Sequence, residues 1–269
     1  LKEIELSWFD KWLKNIPDSF EQASPVKIFM MGSNEWRNEE SWPPKHITNT
    51  PIYLHSNGNS NSAVGDGLLS FDKPGEEMTD GFTYNPMFPV PTKGGGNCCD
   101  PHIVNWGAFD QRESEARSDV LVYTSETLTV EMEISGPIIL KLFASTDCRD
   151  TDFTAKLVDV FPDGKAINLC DGIIRGRYRD STKQQSLLNP GEVYEFTIDL
   201  YPTSNVFLPG HKIRLDISSS NFPRFDRNPN TGNQFGKDCE LKTANQTIYH
   251  EEKFASHLLL PLMKNNRDI

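Results

Sequence analysis

Residues able to do chemistry are scattered along this chain rather than gathered into a motif. Acyl transfer by a serine needs a nucleophile elbow, G-x-S-x-G, on a sharp strand-to-helix turn. No such word occurs, and Gly32-Ser33-Asn34 neither fits the pattern nor precedes a helix. The six histidines are His46, His55, His102, His211, His250 and His257, and no acid and histidine follow a serine in the order a triad requires. Only His102 falls in a long glycine-bearing loop, where it reads as lining rather than as a base. His211 follows Leu208-Pro209-Gly210 and reads as a turn or edge residue before a strand.

Carboxylates cluster at Asp150, Asp152, Asp159, Asp163 and Asp171. Two of them could serve as the acid and base of glycoside cleavage. The plainer reading puts Asp152 and Asp163 in turns and pairs Asp159 and Asp171 with Lys156, Arg175 or Arg177 across strands. The D-T-D-F and R-Y-R words together imply a polar network at one end of the fold. Asp226 to Gly232 superficially matches a calcium loop, but glycine stands at position seven and Lys237 takes the place of the closing Glu. It reads as a loop of Asx turns. Neither a metal nor a cofactor is expected. The five cysteines, Cys98, Cys99, Cys148, Cys170 and Cys239, are odd in number and form no CxxC pair. Reduced thiols and a cytoplasmic setting follow as expectations.

The elements that must position these groups are strands. Between residues 119 and 178, short apolar runs rich in Val, Ile, Phe and Thr alternate with period two. They are Val120 to Tyr123, Leu128 to Ile134, Ile138 to Phe143 and Phe153 to Phe161. Ser135-Gly136-Pro137, Asp147 to Asp152 and Pro162-Asp163-Gly164 read as the turns between them. Further strands are expected at Val26 to Met31, Thr50 to Leu54, Gly67 to Phe71, Glu192 to Leu200, His211 to Ser219, Thr247 to Tyr249 and Ser256 to Leu262. This is an all-β pattern, an antiparallel sandwich of about a dozen strands. Residues 72–118 and 221–243 read as long loops. The first carries too many apolar side chains to be disordered, so it presses against something.

One helix stands apart, over residues 3–14, with Trp8, Phe9 and Trp12 on a broad apolar face. Asn15-Ile16-Pro17 ends it. So aromatic a face needs a partner surface.

The net charge of −11 gives no basic stripe for nucleic acid. It offers nothing to an anionic membrane surface, and no apolar run is long enough to cross a bilayer. With Leu1 rather than Met at its start, the chain is expected to be a fragment.

Several long words resemble the C-terminal domain of the X-Pro dipeptidyl-peptidase and cocaine-esterase-like (CocE/NonD) serine hydrolases. They are Asp152 to Gly164, Asp171 to Tyr178, Thr203 to His211 and Ser218 to Gly232. The resemblance runs from about Val26 to Pro261. It implies a jelly-roll, galactose-binding-like β-sandwich over 26–269. Residues 1–25 would be the last helix and linker of a preceding α/β-hydrolase domain, with Trp8, Phe9 and Trp12 packing between domains. The serine, histidine and aspartate of that hydrolase would precede Leu1, so this chain would contribute no catalytic residue. The segment matching Gly94 to Asp110 reaches the substrate cleft in the family. Gly95, Gly96, Cys98, His102, Ile103 and Trp106 are therefore expected to line it, although Cys98, Cys99 and His102 belong to no family-wide word. The implied partners are the hydrolase domain and a small ester, amide or peptide substrate, and a homo-oligomer is possible. A different function, carbohydrate binding without catalysis, would use Trp36, Trp42 and Trp106 as a platform.

Overall fold

In a computed structural model, residues 2–16, 24–98, 100, 102–234 and 236–263 are described. Helix α1 spans Lys2–Lys14. It ends because Asn15 turns left-handed (φ 53°), with the Ile16 N–H donating to Asp10 O and the Asn15 N–H to Lys11 O. Pro17, expected to stop the helix, and most of the expected linker lie outside the described residues.

Thirteen strands follow among the described residues. Strands β1 (Val26–Met30) and β2 (Glu35–Glu39) form a separate hairpin. The others are β3 (Ile47–His55), β4 (Leu68–Ser70), β5 (Asp80–Tyr84), β6 (Leu121–Ser125), β7 (Met132–Thr146), β8 (Asp152–Val160), β9 (Ala166–Arg175), β10 (Tyr194–Phe207), β11 (Lys212–Ser218), β12 (Ala244–Tyr249) and β13 (His257–Met263). They join in the order β5-β12-β7-β13-β3-β4-β6-β11-β8-β9, with β10 also paired to β7. Among the strand pairs of the described residues, β4 with β6 is the parallel one. The path folds over so that β10 lies on β8 and β9, with the Phe196 ring 4.8 Å from Phe153. Leu140, Leu142, Phe153, Leu157, Ile198, Leu215 and Leu258 fill the interior of this jelly-roll sandwich.

Three expectations about the strands need correction. Ser135-Gly136-Pro137 is no turn, because β7 continues through it opposite β10, with Pro137 facing Pro202 and Gly136 facing Thr203. Two prolines opposite one another surrender their ladder bonds at one place, so the strands carry on beyond it. Glycine accepts the φ of +146° there, and a Cβ would come within 3.1 Å of Pro261. Leu128 and Val130, expected in that strand, precede it in a loop bonded to the 208–211 turn. The segment 72–118 also holds a strand, β5, whose inward residues Asp80, Phe82 and Tyr84 do alternate.

Every residue of β8 is buried. Phe153, Ala155 and Leu157 belong to the core. The alternate residues Thr154, Lys156 and Val158 are buried as well, on the side covered by the segment between β5 and β6. The element that presses on this face is the long apolar loop of the sequence.

Candidate functional site: the 94–110 loop

The loop from Gly94 to Asp110 is closed at its neck by two hydrogen bonds between Gly95 and Gly107, at 2.7 and 2.9 Å. Gly94, Gly95 and Gly107 all have positive φ. Gly95 admits no side chain, since a Cβ would lie 2.6 Å from the Arg224 guanidinium. Inside the loop, the Asn97 amide donates to the carbonyls of Gly94 (2.7 Å) and Asn105 (3.0 Å). The Asp100 carboxylate accepts from the His102 N–H.

Below the neck, the chain is fastened to the edge strand β9. Asn168 accepts the Phe109 N–H through Oδ1 at 2.7 Å, and the Gln111 N–H donates to Ala166 O. Gln111, fully buried, donates from Nε2 to Lys93 O and Phe109 O and accepts from Lys156 Nζ. Lys156 faces Asp216 on one side and Asp171 on the other. Short helix α2 (Arg112–Glu115) brings the buried Glu115 carboxylate to Arg214. A row of buried charges thus underlies the loop base. Burial and Glu115 push Asp216 up to about 8, against the pull of Lys156 and Arg214.

The expected site residues divide by position. Gly95 belongs to the neck, and Gly96 follows it on the exposed side. Cys98, His102, Ile103 and Trp106 lie beyond the neck and are exposed, Ile103 at 75% and Trp106 at 45%. Cys99 lies outside the described residues. The loop therefore has a bonded base and an apolar tip held toward solvent. Its tip offers no acid–base pair, since His102 hydrogen-bonds only through its backbone among the described residues.

The expected carboxylate pairs are partly rearranged. His211 does close the turn before β11, its N–H donating to Leu208 O, but its ring is buried, with Nδ1 2.8 Å from Asp159, so it is no edge residue. Asp171 lies opposite Lys156 across β8 and β9, as expected, and in addition binds Arg224 and Asn221. The expected polar network is present, with different pairing. Arg175 grips Asp152 with two bonds of 2.9 Å, Arg177 binds Asp150 at 2.7 Å, and the Asn228 amide bridges both carboxylates. Asp152 starts β8 rather than a turn, and burial raises it to about 6 despite Arg175. These carboxylates are consumed by internal bonds. Among the described residues, no cluster of His, Cys, Asp and Glu is arranged to hold a metal ion.

Gln111, Asn168 and Arg224 are the residues that sequence reasoning overlooked. Arg224 sits inside a recognisable word, but nothing in the local pattern marks Gln111 or Asn168 as buried.

On α1 no residue is buried, and Phe9 and Trp12 are more than half exposed, while the Trp12 ring lies tilted against Trp8 at 5.7 Å. Burying one such ring is worth about 1.5–3 kcal/mol. Amide exchange in α1 of this chain alone is expected to be far faster than in β8, and equal protection would contradict an interdomain role for the face. Trp36 packs edge-on against Phe29 at 5.3 Å; among the described residues neither Trp42 nor Trp106 stacks on it. No helix among the described residues is long and apolar enough to cross a membrane.

The comparisons agree with this architecture. Residues 18–259 match the family described as the X-Pro dipeptidyl-peptidase C-terminal non-catalytic domain. The cocaine esterase of Rhodococcus sp. (strain MB1 Bresler) is 45% identical over 260 residues, 96% of this chain and 45% of that protein. An aminopeptidase from the marine sediment archaeon Thaumarchaeota archaeon superposes with a TM-score of 0.83 at 28% identity, covering 98% of this chain and 44% of its own. An α-amino acid ester hydrolase gives 0.82 at 29% identity, covering 94% of this chain and 43% of its own. The chain thus spans less than half the length of these relatives. A match over most of the sandwich, with the buried face and fastened loop it encloses, places this chain in the family of C-terminal non-catalytic domains of X-Pro dipeptidyl-peptidase and CocE/NonD-type hydrolases.

Proposed function

We propose that this chain is the accessory sandwich of a serine hydrolase that cleaves ester or amide bonds, and that it supplies one wall of the substrate cleft. The nucleophile, base, orienting acid and oxyanion donors would stand on an α/β-hydrolase domain preceding Leu1. The observation that carries this reading is the 94–110 loop. Its base is bonded to β9 and to buried Gln111, while Ile103 and Trp106 stay exposed at its tip. A fastened loop with an apolar tip can shape an acyl pocket without taking part in proton transfer. The relatives known as an esterase, an amino acid ester hydrolase and an aminopeptidase favour acyl transfer to water as the chemistry. Helix α1 would belong to the junction with the hydrolase domain.

The test is catalytic silence. The isolated chain is expected to hydrolyse neither p-nitrophenyl esters nor Ala-Pro-anilides above background. Turnover that a serine-directed phosphonate abolishes would place the nucleophile in this chain and overturn the reading.

A further inference from the structure

Beside the loop neck lies an open cleft of about 390 Å3, walled by Leu169, Leu200 and Pro202 and edged by Gly96, Tyr201 and Arg224. Its polar groups are unevenly satisfied. Both oxygens of Asp171 are engaged, Oδ1 by Arg224 Nη1 and Oδ2 by the Asn221 amide. Arg224 gives only that one guanidinium bond among the described residues, although the group carries five N–H donors. Its other terminal nitrogen, Nη2, sits 3.3 Å from where a Cβ on Gly96 would be. Asp171 also faces Lys156 across β8 and β9, so one carboxylate serves two cations.

Tyr201 adds a second, independent sign. It is a non-glycine residue at φ 66°, placed where the β7–β10 register shifts between Asp199 and Pro202. Its N–H is held by Asp199 Oδ1 at 2.8 Å. Side chains rarely adopt this backbone, and such residues gather at ligand sites. Here the side chain is 58% exposed at the cleft edge, and its hydroxyl has no hydrogen-bond partner among the described residues. The Gly96 N–H is likewise unpaired there.

We propose that this cleft binds a monocarboxylate bearing an apolar group. The carboxylate would be taken by Arg224 Nη2 with help from the Tyr201 hydroxyl and the Gly96 N–H, and the apolar group would lie on Leu169, Leu200 and Pro202. The apolar walls Leu169, Leu200 and Pro202 suit a carboxylate that carries an apolar group better than a phosphate, whose remaining oxygens would lose water without gaining partners there. The carboxylate can belong to a free small molecule or to an acidic side chain of an adjoining domain. Binding of a free carboxylate concerns this chain alone, whereas the second source rests on the hydrolase reading, since it needs an adjoining domain.

The experiment is an NMR titration of the 269-residue chain with benzoate, benzamide and inorganic phosphate. Benzoate is expected to give saturable shifts at Gly96, Tyr201 and the Arg224 side chain, with Kd on the order of 1 mM. Benzamide and phosphate should bind at least about 10-fold more weakly. Arg224→Gln should weaken benzoate by a similar factor. Because Arg224→Gln also strands Asp171, Gly96→Val serves as the second variant: it keeps both members of the ion pair and fills the cleft at Arg224 Nη2, 3.3 Å from the added Cβ, with the unfolding midpoint measured as the control for the fold. Equal affinity for benzamide, no saturable benzoate shift, or full affinity in folded Gly96→Val would each overturn the proposal. The same titration on a polypeptide carrying the adjoining domain separates the two sources. Retained shifts assign the site to a free carboxylate; shifts lost there but present in the isolated chain assign it to a side chain of that domain.

Discussion

His250→Ala should lower the stability of the sandwich by about 3 to 5 kcal/mol, the scale for removing one partner of a buried ion pair. The His250 ring is fully buried, with Nδ1 2.9 Å from a Glu77 oxygen and Nε2 3.0 Å from an Asp80 oxygen. A nitrogen facing a carboxylate oxygen at that distance must donate. Both nitrogens donate only in the imidazolium, so the fold holds a buried cation between two acids. Asp80 is further bonded by Tyr123, Ser56 and the Ser60 N–H, and Ser56 also contacts Asp66. His55 takes the other oxygen of Glu77 at 2.6 Å. The network fastens the 55–80 segment to strands β6 and β12. Alanine would leave Asp80 and Glu77 facing each other without the intervening charge. The unfolding midpoint should fall by roughly 6 to 20 °C. A loss below about 1 kcal/mol, the scale of an exposed pair, would show that the network carries little of the fold's stability.

The same cluster sets a pH dependence. Burial alone would lower the His250 pKa, but the bonds and charges of Asp80 and Glu77 outweigh it and hold the value above the ordinary one. Its stabilisation is therefore complete below the usual imidazole value of about 6.5 and is lost as pH rises through the raised folded value. Burial would raise Asp80, yet the bonds from His250, Tyr123, Ser60 and Ser56 bring it below its ordinary value. That contribution is present above the usual carboxylate value of about 3.9 and disappears as pH falls through the lowered one. Chemical denaturation of the wild type between these limits and above them should show the alkaline loss, and His250→Ala should flatten it.

The sandwich is legible in the sequence because its strands alternate with period two and its turns carry Pro-Gly and Pro-Asp-Gly words. Strand β5 escapes because only Phe82 and Tyr84 announce it within a proline-rich stretch. The passage of β7 through Ser135-Gly136-Pro137 is hidden for another reason. A glycine–proline pair marks a turn locally, and only the facing Pro202 makes a strand tolerable there. The charged face is obscured by its cover. The burial of Lys156, Arg214 and Asp216 depends on a segment 45 residues from Lys156 and 99 from Arg214 in sequence. Of the partners expected for Asp171, Lys156 does face it, whereas Arg175 goes to Asp152 and the hydrogen bond to Asp171 comes from Arg224 on the second long loop. The 94–110 segment is identifiable as ordered from its apolar content, whereas the bonds that fasten it, from Gln111 and Asn168, have no local signature.

The loop carries the central claim, and its expected effect is on selectivity. Ile103→Ala and Trp106→Ala alter exposed side chains above a neck held by Gly95 and Gly107, so neither should disturb the fold. In the polypeptide joined to its hydrolase domain, each truncation would enlarge an acyl pocket, Ile103→Ala by part of an aliphatic chain and Trp106→Ala by an indole ring. Even one methylene in a pocket is worth roughly 10-fold in relative kcat/KM. His102→Ala should leave the pH profile of kcat/KM in place, because the proton is moved elsewhere. The most direct measurement is the ratio of kcat/KM for a benzoyl ester to that for an acetyl ester, compared between wild type, Ile103→Ala and Trp106→Ala. A shift of about 10-fold in that ratio with the fold intact is the predicted result. An unchanged ratio in both variants, or loss of all turnover in a folded His102→Ala protein, would contradict the assignment of this loop as a specificity wall without catalytic groups.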